Sequence, residues 1–348
     1  MTAPEEVSLP SPDRLMALST GFWAFKALAT AHELDVFARV DAAGGLTAAG
    51  LAADLGVETR PTRLLLTACA ALGLLASDDG VTYRNTPLAD AYLVPGRPYH
   101  FGGWLRMLDQ RLYAGWGRLT EAVRSNAPTT WDPARQKSLF DNESPELLDS
   151  FWEGMHSLSS STARVLARSA DFTPYRSLLD LGGGSGAYSI ELCRAYPELR
   201  ATVLDLPHVC PVADAHAAQA GLSGRVTARP GDFLGDEPLP QGHDLMLLSM
   251  ILHDWDADTG RALLSRCRGA LAPGGAVVIS ELMVDDRRDG PPAAALMGLN
   301  MLVETVGGEN YTAGEYGEWL VEAGFRPPRR IDLDAPGANA ALIAVVAD

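Results

Sequence analysis

Three groups of residues in this chain have the types and spacing that chemistry requires. The first is Leu178-Leu179-Asp180-Leu181-Gly182-Gly183-Gly184-Ser185-Gly186, an apolar run ending in an acid and four glycines, with a helix-like segment from Ala187 to Ala195 behind it. Strand, tight turn and helix open a nucleotide-binding α/β unit. The glycines permit positive φ and let a ligand approach bare backbone, and the helix turns its free N–H groups toward that ligand. The second group is the acids that close the next predicted strands, Asp205 and then Asp232-Phe233. Asp205 can take both hydroxyls of a ribose, or else cap the helix after Pro207. At 232–233 an acceptor beside an aromatic face makes a compact adenine site, or else a turn acid next to a core Phe. The third group is His253-Asp254-Trp255, after the apolar run Leu245 to Leu252, with Glu281 closing the following strand. A His and a Glu at adjacent strand ends are a proton acceptor and the group that orients it.

The sign of the charge decides what the glycine loop holds. Gly182-x-Gly184-x-x-Ala187 also fits a dinucleotide fingerprint, with Asp205 about 20 residues on, where a ribose-binding acid belongs. A pyrophosphate, however, would lie close to Asp180, and like charges repel. S-adenosylmethionine (SAM) brings a sulfonium and an ammonium to the same place and has no phosphate. Charge matching favours SAM, with a nicotinamide enzyme as the alternative. Trp255 can pack on the adenine, and Asp256 can cap the next helix.

The elements that must position these groups read as a repeating strand–helix pattern from Ser177 onward. Strands are predicted at 177–181, 201–205, 225–229, 244–251, 275–281, about 328–334 and 340–347. Helices are predicted at 186–196, 208–220, 257–271, 293–306 and 312–323. Ligands of open α/β sheets bind outside the carboxyl ends of the strands, where all three groups fall. Residues 99–169 read as mainly helical, with Trp104, Met107, Trp116, Phe151, Trp152, Met155 and His156 spread along them. Their density before the glycine loop makes this segment the predicted pocket wall, with Trp104, Phe151 and Met155 as substrate-binding residues. Pro87 to Pro98 reads as a proline-punctuated joint.

Toward the N-terminus, residues 13–40 read as helical, with Phe22 and Trp23 widening the apolar stripe, a hint of a partner subunit. A capped helix from Leu46 to Gly56, a second helix from Arg60 to Leu72 and an alternating segment around 78–84 resemble a winged helix. A DNA-reading helix carries base- and phosphate-contacting side chains. Here Arg60 and Arg63 give way to an apolar run from Leu64 to Leu72, which reads as a packing element. The expected division is 1–98 as a winged-helix-like dimerisation domain, 99–169 as helical linker and pocket wall, and 170–348 as the SAM-binding Rossmann-like domain.

Composition narrows the class. At 348 residues two domains are expected, and 47% hydrophobic content supplies their cores. Lys+Arg number 28 against Asp+Glu 44, so the chain carries −16, which argues against nucleic acid as a partner. The four cysteines show no paired spacing and read as thiols of a cytoplasmic protein. The seven histidines are dispersed, so no metal is expected. The first 12 residues are acidic and proline-containing, unlike a signal or transit peptide, and no apolar run is long enough to span a bilayer.

Together, Asp180-Leu181-Gly182-Gly183-Gly184-Ser185-Gly186, Asp205-Leu206-Pro207, Gly231-Asp232-Phe233, Leu252-His253-Asp254-Trp255, Pro273-Gly274-Gly275 and Glu281 resemble the small-molecule O-methyltransferase family. That family includes plant caffeate and hydroxyindole enzymes and bacterial antibiotic-pathway methyltransferases. The similarity covers nearly the whole chain. It implies an α/β fold, a Rossmann-like class I SAM methyltransferase domain behind an N-terminal, mainly helical winged-helix dimerisation domain, and a homodimer. It implies SAM contacts at Gly182, Asp205, Leu206, Asp232, Phe233 and Trp255, beside Asp180 and Gly184 of the loop, with S-adenosylhomocysteine (SAH) as product. It also implies His253 as base, Met155 near the transferred methyl, and Met301, Thr305 and the Gly307-Gly308 turn along the acceptor pocket. Two positions depart from the family. Ser249 stands near the cofactor where members often carry Lys, and Asn310 stands at the catalytic position where plant members carry Glu, so the base keeps one flanking carboxylate.

The expected reaction is methyl transfer to a small aromatic, most simply to a phenolic oxygen, in natural-product biosynthesis. Ring C-methylation ortho to a phenol, for instance of a phenolic amino acid, would use the same pair. A regulator that binds SAM without catalysis is the non-enzymatic alternative, against which the intact His253 and Glu281 speak. Full proton transfer from a phenol (pKa about 10) to an ordinary imidazole (about 6.5) costs roughly 5 kcal/mol, so the base must act as the methyl moves or the site must stabilise phenolate.

Overall fold

The structure is a computed structural model that describes residues 10–136, 140 and 145–347, without the side chains of 145–150. It divides into two compact units, one up to Leu105 and one from Arg106 onward.

The first unit is mainly helical. The helix expected over 13–40 is three, α1 (Asp13–Ser19), α2 (Gly21–Glu33) and α3 (Val36–Ala43). Asp35, at φ 54°, turns the chain between the last two, a backbone state that apolar periodicity does not reveal. Strand β1 (Leu46–Thr47) leads into α4 (Ala48–Leu55), where the Thr47 side chain accepts the Gly50 N–H and Gly56 ends the helix at φ 66°. Helix α5 (Thr59–Ala71), strands β2 (Leu75–Ala76) and β3 (Thr82–Asn85) and helix α6 (Pro87–Leu93) complete it. The strands form a small antiparallel sheet in the order β1-β3-β2. The expected joint at 87–98 is therefore partly a helix. Pro87 occupies its first turn, where no N–H is needed, and Thr86 caps it. Phe37, Leu51, Leu66 and Leu93 share the core.

Helix α7 (Gly102–Met107) carries the chain into the second unit. A π-helical turn Leu108–Leu112 follows, then α8 (Tyr113–Trp116), α9 (Leu119–Ser125) and the long α10 (Pro145–Ser169). The sheet comes next as β4 (Ser177–Leu181), α11 (Ala187–Ala195), β5 (Arg200–Asp205), α12 (Cys210–Gln219), β6 (Val226–Pro230) and β7 (Leu245–Ser249). The remainder is α13 (Ala257–Ala270), β8 (Ala276–Glu281), α14 (Pro292–Glu304), α15 (Ala313–Glu322), β9 (Arg329–Asp332) and β10 (Ala340–Val345). The strand order is β6-β5-β4-β7-β8-β10-β9, with β4 to β8 parallel and β10 antiparallel to both neighbours.

The pattern is thus not βαβ throughout. Residues 231–244 join β6 to β7 without a helix, and β9 with β10 forms an antiparallel edge. Strand side chains alternate between two cores: Leu178, Val203, Leu245 and Leu247 on one face, Leu179, Leu204, Met246 and Leu248 on the other. The chain leaves β4 for β5 and β6 on one side, then returns to β7 on the other. That reversal opens a crevice at the carboxyl ends of β4 and β7. Among the described residues no helix is long and apolar enough to cross a membrane.

Candidate active site

The glycine loop is built around a hidden acid. Asp180 is fully buried, and the Ser189 hydroxyl donates to its Oδ2 at 2.7 Å. Gly182, Gly184 and Gly186 all take positive φ, and a Cβ at Gly183 would stand 2.6 Å from Asp180 Oδ2. The loop therefore wraps over the carboxylate, and Asp180 does not line the crevice. Burial pushes its pKa up to about 7, with the charge of Asp205 adding to the rise. Asp205, at the end of β5, accepts the Gly184 N–H at 2.8 Å and the Leu206 N–H at 2.7 Å. It holds the loop rather than capping α12, and burial, offset by those two N–H groups, leaves its pKa at about 6.

Outside the loop lies a cavity of ≈ 240 Å³. Gly182, Asp205, Leu206, Asp232, Phe233 and Trp255 line it, six of the nine residues expected to hold the donor, together with Phe140, Trp152, Leu234, Ile251 and Asp254. Gly184 instead gives its N–H to Asp205, and Ser249 is half-buried at the end of β7. Among the described lining residues there are three carboxylates and no cationic side chain. A Cβ on Gly182 would stand 2.6 Å from Ile251 Cδ1 and 2.9 Å from Phe233 Cε1, so glycine here lets those two side chains pack directly against the loop backbone at the cavity wall. The Trp255 Nε1 is buried without a partner. An acidic wall, bare backbone and aromatic faces fit a cationic nucleoside and disfavour a pyrophosphate.

His253 stands beside this cavity in a 3-10 turn, Leu252–Asp254. Strand β7 ends at Ser249, two residues before the predicted end, because Met250 takes φ 55° and turns the chain. Glu281, from the end of β8, organises the turn. Its Oε1 accepts the N–H groups of Ile251 (2.9 Å) and Leu252 (3.0 Å), and its Oε2 lies 2.6 Å from His253 Nδ1. The dyad is buried, which alone would lower the imidazole pKa, but the charges of Glu281 and then Asp254 outweigh burial and raise it to about 9. Asp254 Oδ1 is 3.6 Å from His253 Nε2, and burial raises that carboxyl to about 7.

The residues expected along the acceptor pocket have different surroundings. The Thr305 hydroxyl is used internally, donating to the Met301 carbonyl (2.8 Å) and accepting the Gly308 N–H (2.9 Å). It shapes a turn and does not present its hydroxyl to a ligand. That turn abuts the base, since a Cβ on Gly308 would collide with the His253 carbonyl. Met301 is buried beneath it. Asn310 donates from Nδ2 to the Leu282 carbonyl, and its buried Oδ1 has no partner. Phe151 packs edge-on to Trp152 (4.8 Å, 81°) with the Arg111 guanidinium 5.1 Å over its ring. Met155 is half-buried on the same helix. Trp104 belongs to the first unit, beside Phe101.

The sequence did not single out Trp152 and Asp254, which line the cavity, or the part-buried Arg111–Glu304 ion pair at 2.7 Å. Asp254 stood within the quoted motif, and its neighbour His253 was signal enough. Nothing in the spacing pairs 111 with 304.

A doubly wound sheet with an acid-lined crevice at its reversal point and a buried His–Glu pair at the rim defines a SAM-dependent methyltransferase. Residues 116–326 match the model of the O-methyltransferase domain, and residues 16–95 that of the O-methyltransferase dimerisation domain. The chain belongs to the O-methyltransferase family. It is 49% identical to a 3-hydroxy-5-methyl-1-naphthoate 3-O-methyltransferase of Streptomyces sahachiroi, over 97% of this chain and 96% of the relative. It is 33% identical to an L-tyrosine C(3)-methyltransferase of Streptomyces lavendulae, over 91% and 87% of the two chains. Its fold is similar to the crystal structure of human N-acetylserotonin methyltransferase in complex with SAM (TM-score 0.86, 31% identity, 99% of this chain and 100% of that one).

Proposed function

We propose that this enzyme methylates a phenolic hydroxyl of a small aromatic acceptor, with a hydroxylated aryl carboxylate of naphthoate type as the leading class. The observation that carries the reading is the His253–Glu281 pair at 2.6 Å beside the acid-lined cavity. The acceptor class is supported by the naphthoate methyltransferase that shares 49% of its residues. When bound, SAM supplies an electrophilic methyl group on a sulfonium and leaves as SAH. Asp205 and Asp232 would hold its ribose and adenine, and Phe233 and Trp255 would cover the base. Asp254 adds negative charge to the cavity wall.

The chain's own contribution to the reaction is a proton acceptor of matched strength. Nδ1 of His253 is engaged by Glu281, so Nε2 is the nitrogen that can take the phenolic proton. With the imidazole raised to about 9 by Glu281 and Asp254, proton transfer from a phenol near 10 costs much less than the roughly 5 kcal/mol that an ordinary His would require. General base catalysis of this kind contributes roughly 10²–10⁴-fold. In-line positioning of the two reactants supplies the remainder.

Ring C-methylation ortho to a phenol is the second reading. The tyrosine C(3)-methyltransferase relative favours it, and so does Asn310, which leaves the base a single flanking Glu. The dimerisation-domain match and the apolar surface of α1 and α2 support a homodimer through the first unit. Four buried, unpaired cysteines support a cytoplasmic location. The test is SAH formation over hydroxynaphthoates, hydroxybenzoates, catechols and tyrosine, with the methyl located by NMR. A methoxy product from a hydroxynaphthoate is expected. An aryl-methyl product would establish the second reading, and turnover unaffected by His253→Ala would overturn both.

A further inference from the structure

Helix α10 meets the glycine loop through two side chains, and neither has a role in the chemistry described so far. Trp152 and His156 are four residues apart and share one face of the helix. The Trp152 ring fills the space above Gly184, where a Cβ would stand 2.5 Å from its Cζ3, and the same ring lines the cavity. One turn later, His156 Nδ1 lies 2.9 Å from the hydroxyl of Ser185, the next residue of the loop, which is itself buried. The far face of His156 stacks on His216 of α12 (3.8 Å, 10°).

We infer that His156 is a positioning residue for donor binding: through Ser185 it hangs α10 on the glycine loop and so sets Trp152 against the cavity. The inference rests on the reading that SAM occupies that cavity. Two adjacent loop residues are gripped by two adjacent turns of one helix, so neither contact can shift without the other. Farther along, α10 is fixed by Thr162, which accepts the Gly337 N–H at 3.0 Å. The clasp therefore governs the part of α10 that carries Phe151, Trp152 and Met155. The groups facing the imidazole keep it uncharged. Arg164 on its own helix, Arg194 from α11 and His216 from α12 oppose a proton there, and burial opposes it most of all, so its pKa falls to about 3. Glu191 balances the two arginines, and Glu153 lies near His216. At working pH the Ser185 contact is one between neutral partners, and losing it would release the helix rather than strand a charge.

The experiment is SAH binding by calorimetry with the full chain and four variants: His156→Ala, Ser185→Ala, the double variant and His156→Asn, whose amide can replace the Nδ1 contact. Each alanine variant should raise the Kd about ten-fold, the loss of one positioning hydrogen bond. The double variant should lose no more than either single one, and His156→Asn should recover to within about three-fold. The SAH-induced change in indole emission should shrink in Trp152→Phe, leaving the part that Trp255 reports, and the Trp152 part should shrink likewise in His156→Ala. Additive losses, failure of the Asn rescue, or lowered thermal stability with an unchanged Kd would each overturn the inference. Asp205→Asn separates the underlying reading, because SAH binding that survives it unchanged would refute the cavity itself and not the clasp.

Discussion

His253 is a stronger base than an ordinary histidine because two carboxylates face it in a buried setting, and that has a measurable sign. The base must be neutral to accept a proton. Activity should therefore rise with pH through the raised pKa of about 9 rather than through 6.5. We expect kcat/KM for the acceptor to climb across pH 7 to 9. In Glu281→Gln, with the largest favourable charge removed, the midpoint should move to lower pH and the plateau should fall on the order of 10²-fold. A wild-type profile flat above pH 7 would contradict this. The acids behave differently. Asp180, Asp205 and Asp254 have folded pKa values of about 7, 6 and 7, above the unfolded value near 3.9. Folding therefore favours their protonated forms. The stability they contribute is complete below pH 4 and is lost as pH rises through 6 to 7. A cation in the cavity favours their charged forms instead. SAM carries the sulfonium charge that SAH lacks, so the ratio of SAH to SAM dissociation constants should grow between pH 5 and 8. Calorimetric titrations of both ligands check it, and a pH-independent ratio would remove the electrostatic case for the cavity.

At the scale of elements, the 3-10 turn that carries His253 is squeezed between Glu281 and the turn that follows α14. Glu281 fixes it by two backbone N–H groups. Gly308 presses on its carbonyl side, and Thr305 holds Gly308 there. Gly308→Ala should push the two turns apart, lowering kcat by about ten-fold or more while leaving SAH affinity nearly unchanged. Steady-state kinetics beside calorimetry would show it, and equal losses in both would argue that the whole crevice had collapsed. This element also shows where the sequence stops being informative. The apolar pattern located every strand of the large sheet to within about two residues, because the central strands are buried on both faces, one in each core, and so read as continuous apolar runs. It overran β7, since nothing in Ser249-Met250-Ile251-Leu252 announces a positive φ at Met250. The His253–Glu281 pair was legible because strand ends of a parallel sheet share one edge. Asp180 was read as facing the ligand, although a strand-end acid can equally lie under the glycines, as it does here. Thr305 was placed along the acceptor pocket by the family resemblance alone, and its internal partners, Met301 and Gly308, are set by a helix end and a turn that periodicity does not resolve. Trp152 was indistinguishable from a core aromatic, since only the space left by Gly184 shows what it covers.

At the scale of the whole molecule, α1 and the start of α2 present an exposed apolar surface. Helix α1 buries none of its residues, yet Leu15 and Leu18 are 69% and 71% exposed, and Phe22 and Trp23 52% and 63%. A seven-residue helix has too few internal hydrogen bonds to persist in water alone. An apolar surface of this kind on a chain of charge −16 marks a place where another molecule belongs. A second copy of this chain is the occupant that the dimerisation-domain match over residues 16–95 supports. The surface can be cancelled without touching the crevice, because the described residues that line the cavity all belong to the second unit. Leu18→Asp combined with Phe22→Asp would place two carboxylates in a desolvated contact, at several kcal/mol of dimer stability. Light scattering at micromolar concentration should then report a monomer of 37.0 kDa, where the unaltered protein should report a dimer. SAH should still bind the monomer, since every group assigned to the donor remains. A double variant that stays dimeric would place the interface elsewhere. A monomer that no longer binds SAH would show that the crevice depends on the partner copy for its shape.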